Sequence, residues 1–170
     1  MKAIVCMTPM NGIGFRNTIP WKSKIDMGYF KEVTTGKGNN AVIMGFNTFR
    51  SLGYRALPNR RNYVLTRRTD IPQAAKKSDV VFESNIQNTM MLDHLFDEVY
   101  VIGGEDIYKL YEPFYTELYV TYIDVSPPCD RFFFFDKTKF NSTKIKEVKE
   151  NGTWLYFYLF YKSSSGDELV

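Results

Sequence analysis

Short apolar runs alternate with helix-type patterns along this chain, which predicts a sheet whose strands are joined by helical crossovers. Apolar runs of strand length occupy residues 2–7, 41–45, 62–66, 79–83, 98–104 and 117–125. Helix-type spacing is found at residues 24–34, from about 48, at 86–96 and at 106–114. Apolar strands separated by helices are typical of a largely parallel sheet that is buried on both faces.

The last part of the sequence has a different pattern. Two alternating runs in residues 145–162 flank the pair Asn151-Gly152. This pair between alternating runs favours a type I′ turn, so the segment is predicted to form an antiparallel hairpin at one edge of the sheet. Ligands of such sheets bind beyond the carboxyl ends of the strands, where we expect the functional site.

One carboxylate has an unusual place in this pattern. Asp26, Phe30 and Val33 recur at i, i+4 and i+7, so they share one side of the helix predicted at 24–34. In one interpretation Ser23 and Asp26 form a capping box, because the helix dipole favours negative charge at its start. In the other, Asp26 faces an apolar pocket and needs a cationic or hydrogen-bond-donating ligand. The segment by itself leaves both open.

Composition limits the class of protein. A chain of 170 residues, 44% of them hydrophobic, is long enough for one globular domain with a full core. The net charge of +3 comes from scattered basic residues, which makes nucleic acid a poor candidate partner. Cys6 and Cys129 form no disulfide framework, and the first apolar run is too short for a membrane span. We expect a cytoplasmic protein with a domain at 1–162, a flexible tail at 163–170 and no membrane partner.

Two strand-to-helix junctions are candidate anion sites. Gly45 and Thr48 form the first junction, and Gly103-Gly104 closes the strand of the second. Helix N-terminal amides suit phosphate and glycine allows close approach, so two such junctions in one sheet suggest a bound diphosphate. Arginines around the strand at 62–66 offer a bidentate fork for carboxylate or phosphate, although most arginines at such positions are solvated: Arg60, Arg61, Arg67 and Arg68. No group of residues has metal-ligand spacing, so we expect no metal.

Seven motifs along the chain carry a specific resemblance. In order they read MNGIGFRNTIPW, DMGYFKEVT, AVIMGFNTF, LPNRRNYVLTR, EVYVIGGEDIY, ELYVTYID and CDRFFF. Their order and spacing resemble those of the dihydrofolate reductase family over residues 1–162. The resemblance implies an α/β fold with a mixed, mostly parallel eight-stranded sheet, helices on both faces and an antiparallel C-terminal hairpin.

The same resemblance implies an activity. It is the NADPH-dependent reduction of 7,8-dihydrofolate to 5,6,7,8-tetrahydrofolate by hydride transfer, which supports one-carbon and thymidylate metabolism. We expect a monomer whose partner is this small-molecule substrate. The chain resembles either the single-function form or the reductase part of a bifunctional reductase–thymidylate synthase.

The resemblance also assigns residues to the substrate. Asp26 matches the family's active-site carboxylate, Thr121 joins its hydrogen-bond network, and Trp21 ends a mobile loop, residues 11–21, over the reaction centre. Arg60 matches the arginine that binds the glutamate carboxylate of the substrate. Further substrate contacts are implied at Val5, Cys6, Met27, Phe30, Leu52, Leu57 and Ile102.

A second set of positions matches the NADPH site of the family. Thr48 is expected at the diphosphate, Arg67 at the 2′-phosphate, and Asp130 as the carboxylate that supports the mobile loop. The implied cofactor contacts are Cys6, Ile13, Gly14, Gly45, Thr48, Thr66, Arg67, Ile102, Gly103, Gly104 and Tyr108, with a cis bond joining the two last glycines. Phe46 replaces a usual basic residue and Glu105 a usual glycine, which predicts a reduced preference for NADPH.

Two alternatives have the same fold. A riboflavin-pathway pyrimidine reductase lacks the helix carboxylate after Pro-Trp, so Asp26 argues against it. A non-catalytic folate-binding protein is supported only by Phe46 and Glu105, the two departures next to the cofactor.

Overall fold

The structure, a computed structural model, describes residues 1–162, and the tail predicted at 163–170 lies outside the described residues. The strands are β1 Lys2–Met7, β2 Gly12–Gly14, β3 Asn40–Gly45, β4 Arg60–Leu65, β5 Val81–Glu83, β6 Val99–Val101, β7 Glu117–Ile123, β8 Arg131–Phe132, β9 Asn141–Glu150 and β10 Thr153–Tyr161. The α-helices are α1 Lys24–Thr35, α2 Phe46–Ser51, α3 Gln73–Lys76, α4 Leu92–Leu95 and α5 Glu105–Leu110.

Eight of the strands form one mixed sheet in the order β5-β4-β3-β6-β1-β7-β10-β9. The first six are parallel, and β10 and β9 are antiparallel, which confirms the predicted architecture. Asn151 and Gly152 both have positive φ, 49° and 84°, as a type I′ turn requires. The small pair β2–β8 was not predicted from the sequence.

Both faces of the central strands are buried, which explains their continuous apolar sequences. In β3, Ile43 packs into one core cluster, whereas Val42 and Met44 pack into another on the opposite face. Phe30 and Val33 of α1 and residues of α2 and α3 cover the second face. Residues of α4 and α5 cover the first. The predicted helices on both faces are thus confirmed.

The crossovers of the sheet define where a ligand can bind. The chain passes from β1 to β3 through α1, and from β6 to β7 through α5, on opposite faces. Strands β1 and β6 are neighbours, so the two crossovers diverge at their carboxyl ends. A cleft at this point is the usual ligand site of an open α/β sheet.

The single helix predicted at 86–96 is wrong. The chain forms a 3₁₀ helix at Ile86–Thr89 and then the short α4. Thr89 is fully buried, and its hydroxyl is 2.6 Å from the Ile86 carbonyl and 2.7 Å from the Tyr111 hydroxyl. This side-chain bonding competes with a continuous helix. The strand predicted at 98–104 is also shorter than expected, because the chain leaves the sheet after Val101.

Candidate active site

Four segments bring a carboxylate network together at the carboxyl end of β1. Cys6 of β1 lies opposite Thr121 of β7 in the sheet register, and Asp26 of α1 interacts with both side chains. Trp21 forms a hydrogen bond with the Cys6 thiol. Burial raises the pKa of Asp26, and the hydrogen bonds with Thr121 and Cys6 partly oppose that shift. Asp26 is therefore a partly buried carboxylate that is hydrogen-bonded to a hydroxyl and a thiol.

The same residues show how the helix start is capped. Ser23 is the N-cap of α1, and its hydroxyl oxygen accepts a hydrogen bond from the Asp26 amide at 3.0 Å. The Ser23 hydroxyl in turn donates to Glu150 of β9 at 2.6 Å. Each of the two interpretations of Asp26 is thus partly right. The backbone of Asp26 takes part in the cap, while its side chain faces the network with Cys6 and Thr121.

Most of the predicted apolar wall lies around one core cluster. Phe30, Leu52, Leu57 and Ile102 are partly buried and pack against it, on the α1 face of the sheet. Val5 is buried in the cluster on the opposite face. Met27 lies on α1 but is 68% exposed.

Arg60 is held by contacts that the sequence did not predict. Its Nε donates to the Pro58 carbonyl at 2.8 Å and its Nη1 to the Thr34 hydroxyl at 2.9 Å. Buried Asn62 closes this loop by donating to the carbonyls of Leu57 and Arg60. Two of the five guanidinium N–H groups are used, so three remain for a ligand.

The two candidate anion junctions are adjacent in space. The Gly45 amide donates to the Gly103 carbonyl at 2.9 Å, and a side chain at Gly104 would lie 3.9 Å from the Thr48 hydroxyl. The bond between Gly103 and Gly104 is cis, as the resemblance implied. Tyr108 is buried beside them, and its hydroxyl donates to the Ile4 carbonyl at 2.8 Å.

The segment before α1 packs on the sheet through β2. Gly12 and Gly14 of β2 pair with β8, and Ile13 lies between them, partly buried. Asp130 accepts a hydrogen bond from the Arg16 amide at 3.0 Å, and its own amide donates to the Gly14 carbonyl at 2.9 Å. The contact expected between this carboxylate and the loop at 11–21 is therefore present.

Phe46, the first departure from the family pattern, supports two arginines. Its ring is 7% exposed, and the guanidinium carbons of Arg68 and Arg50 lie 4.4 and 5.3 Å from its centroid. The Thr66 hydroxyl accepts from the Arg68 amide at 3.1 Å, while the Arg67 side chain is exposed beside them. An aromatic face attracts such cations, so this position still gathers positive charge.

Glu105, the second departure, is paired with two cations. Its carboxylate lies 3.3 Å from Lys109 and 3.4 Å from Arg131. These neighbours offset its negative charge next to Gly104.

The sequence reasoning missed four polar residues that organise the site: Ser23 as a partner of Glu150, Glu150 itself, Thr34 and Asn62. Asn62 left a detectable signal, because it is a polar residue inside an apolar strand. Glu150 left none, since it is 127 residues away from its partner Ser23.

Within residues 1–162, no cluster of His, Cys, Asp and Glu is arranged to hold a metal ion. In the same described part of the chain, no helix combines the length and apolar character of a membrane span.

Comparison with known proteins gives a consistent result. The family described as dihydrofolate reductase matches residues 1–163. A dihydrofolate reductase of Haemophilus influenzae is 38% identical over 130 residues, which cover 76% of each chain. One from Staphylococcus haemolyticus is 33% identical over 162 residues, or 94% of this chain and 93% of the relative. The chain also matches 34% of the length of a bifunctional dihydrofolate reductase-thymidylate synthase from Paramecium tetraurelia, at 30% identity.

Proposed function

The chain belongs to the dihydrofolate reductase family, and we propose that NADPH is the nicotinamide cofactor with which it reduces 7,8-dihydrofolate to 5,6,7,8-tetrahydrofolate. The match over residues 1–163 is the observation that supports this proposal. The enzyme is an oxidoreductase of tetrahydrofolate biosynthesis. When bound, the cofactor would supply the hydride that C6 of the substrate gains, and the neighbouring N5 would need a proton.

Asp26 is the group that we assign to the pterin. Its carboxylate accepts hydrogen bonds from the ring N3 and the 2-amino group. These bonds compensate the carboxylate for the hydrogen bonds to water that it loses when the substrate binds. Thr121 and Cys6, its neighbours in the network, keep the carboxylate in place. Asp26 promotes protonation of N5 through water, and Trp21 helps to close the site.

Arg60 is assigned to the glutamate end of the substrate. Its contacts with Thr34 and Pro58 fix the guanidinium before a ligand arrives, so little side-chain entropy is lost on binding. The partly buried wall of Phe30, Leu52 and Leu57 suits the aminobenzoyl ring. Val5 and Met27 complete the proposed substrate set.

The glycine junctions are assigned to the cofactor. Amides around Gly45 and Gly104, with the Thr48 hydroxyl, would hold the diphosphate, and Ile102 and Tyr108 would lie beside the nicotinamide. Ile13 and Gly14 of β2 would approach it from the loop at 11–21. Gly103 and Cys6 complete the proposed cofactor set, and the hydrogen bond from the Gly45 amide to the Gly103 carbonyl supports a shared site for the two junctions.

The preference for NADPH is assigned to the arginines near Thr66. We expect Arg67→Ala to reduce the NADPH-over-NADH affinity ratio by about 5- to 30-fold, because an exposed charged hydrogen bond is worth less than a buried one. Dissociation constants of both cofactors, measured by fluorescence quenching, test this. Arg61→Ala is the matched control, since this neighbouring arginine pairs with Asp79 instead. An unchanged ratio in Arg67→Ala would remove Arg67 from the phosphate site.

A separate prediction concerns Phe46. The sequence suggested that this residue lowers the positive charge near the cofactor, whereas the structure places two arginines over its ring. We expect Phe46→Leu to weaken NADPH binding by about 2- to 10-fold, because each cation–π contact is worth about 0.5–1 kcal/mol when exposed. NADH binding should change less. Phe49→Leu is a comparable aromatic change in the same helix, but this ring has no arginine over it. Equal losses in both variants would indicate packing and not arginine placement.

An absorbance assay with dihydrofolate and NADPH tests the function as a whole. A reductase of this family consumes NADPH only when dihydrofolate is present. A non-catalytic folate-binding protein would bind the substrate without turnover, and a pyrimidine reductase of riboflavin synthesis would ignore dihydrofolate. The proposal also includes a cytoplasmic monomer without nucleic-acid partners. Light scattering after gel filtration, with and without an oligonucleotide, tests the last two points.

A further inference from the structure

We propose that Glu150 is a positioning residue for the reaction, because it fixes the first turn of α1 and thereby the carboxylate of Asp26. The proposal rests on the function proposed for Asp26. Glu150 belongs to the distant hairpin and touches neither of the groups that interact with the Asp26 carboxylate, Cys6 and Thr121. Its effect on the position of the Asp26 carboxylate therefore passes through α1.

The contacts of Glu150 are those of an external helix cap. One carboxylate oxygen accepts from the Ser23 hydroxyl at 2.6 Å, and the other accepts from the Ile25 amide at 3.2 Å. Ser23 is 5% exposed and passes the constraint on, because its oxygen accepts from the Asp26 amide. Free amides at a helix start need such partners, and the dipole of this twelve-residue helix favours an anion there.

The hairpin makes this cap rigid. Glu150 is the last residue of β9 and pairs with Thr153 across the two-residue turn. The turn residues Asn151 and Gly152 have the positive φ values of a tight hairpin, which fixes the backbone of Glu150, and the two hydrogen bonds to α1 hold its carboxylate. Asp26 lies in the first helical turn, where an uncapped helix frays most readily. Loss of the cap should therefore disturb Asp26 before it disturbs the rest of α1.

Charge provides a second link between the two carboxylates. The negative charge of Glu150 raises the pKa of Asp26, in addition to the larger effect of burial. The hydrogen bond from Ser23 holds the pKa of Glu150 below its usual range, and Lys24 acts in the same direction. These contacts favour the ionised form of the Glu150 carboxyl. The other titratable groups that face Asp26 are the Cys6 thiol of β1, Tyr29 of α1 and Tyr108 of α5.

The experiment compares Glu150→Gln, Glu150→Ala and Glu147→Gln in steady-state kinetics. We expect kcat/KM for dihydrofolate to fall by about tenfold in Glu150→Ala, the effect of losing about 1.4 kcal/mol of correct positioning. The loss should be smaller in Glu150→Gln, which keeps an acceptor oxygen. Glu147→Gln is the control, because this residue of the same strand pairs with Lys144 and should leave the kinetics unchanged. The dissociation constant of NADPH should be the same in all three.

The pH profile separates positioning from general stability. Removing the charge at position 150 should shift the apparent pKa of the kcat/KM profile downward in both Glu150 variants, whereas Glu147→Gln should keep the wild-type profile. In an Asp26→Asn background, Glu150→Gln should cause no further loss of kcat, because its effect acts through the carboxylate. If Glu150→Ala does not fold, Glu150→Gln and the double variant carry the test.

Two results would overturn the inference while leaving the proposed function intact. The first is wild-type kcat/KM and an unshifted pH profile in the Glu150 variants, when Asp26→Asn is slow. The second is an equal loss from Glu150→Gln with and without Asp26. If Asp26→Asn itself keeps the wild-type rate, the function proposed for Asp26 fails, and the positioning inference fails with it.

Discussion

Asp26→Asn is expected to slow turnover by about two to four orders of magnitude, the usual worth of a positioned proton-transfer group. The amide can still occupy the place beside Cys6 and Thr121, so the fold and the binding of NADPH should persist. It cannot carry the negative charge that promotes protonation of N5. Steady-state kcat at neutral pH, together with the dissociation constant of NADPH, measures the two effects separately.

The pH dependence of the same variant gives a second expectation. Asp26→Asn should regain rate as pH falls, because solvent then protonates N5 of the substrate without help. Asp79→Asn is the control, since this aspartate is exposed and pairs with Arg61 before β5. A variant at position 26 with a near wild-type rate at neutral pH would leave Asp26 with only its capping role.

Stability should change in the opposite direction to activity. Because burial raises the pKa of Asp26 in the folded state, the native protein binds its proton more tightly than the unfolded chain does. The ionised carboxylate therefore costs stability at every pH above the folded pKa, and the cost disappears as pH falls below the unfolded value of 3.8. Urea unfolding at neutral pH should show Asp26→Asn to be more stable than the wild type. At low pH the two curves should converge.

Arg60→Leu is expected to weaken dihydrofolate binding by about 10- to 150-fold, the equivalent of a charged hydrogen bond of about 1.5–3 kcal/mol. Leucine keeps part of the apolar packing but offers no donor to the glutamate carboxylate. The dissociation constant of dihydrofolate, measured by fluorescence quenching, gives the size of the loss.

A substrate without the glutamate tail shows which end of the molecule Arg60 contacts. A simple dihydropteridine should bind Arg60→Leu and the wild type almost equally. Arg61→Leu serves as the matched control, because its neighbouring side chain bonds Asp79 and not Thr34. Equal losses with both ligands would mean that Arg60 stabilises the loop that Asn62 closes and does not bind the tail.

Local patterns predicted much of the fold because each has a direct physical cause. Continuous apolar strands such as β3 occur where both faces of a sheet are buried, so a parallel sheet with crossovers could be inferred. Asn151-Gly152 predicted the turn because these residues tolerate positive φ. The helix predicted at 86–96 was wrong because Thr89 bonds to Tyr111, a partner that the periodicity of residues 86–96 does not contain.

The candidate site divides in the same way. The motifs around Asp26, Arg60 and Gly103-Gly104 were visible in the sequence, and their resemblance to one family supplied the roles. The motifs did not reveal what holds these groups in place. Thr34 is about equally far along the chain from Arg60 and from Arg61. Its hydroxyl nevertheless accepts a hydrogen bond from Arg60, whereas Arg61 bonds Asp79.

The sequence by itself determined which strands are buried on both faces, where the hairpin turns and to which family the protein belongs. These features depend on residues that are close together or on motifs that keep their order. Tertiary structure alone decided how Asp26 can be both part of a helix cap and hydrogen-bonded to Cys6 and Thr121. Ser23 and Glu150 meet across 127 residues, and Phe46 meets Arg68 from the next strand junction. Such contacts depend on how the sheet brings distant segments together, and neither hydrophobic periodicity nor residue type records that placement.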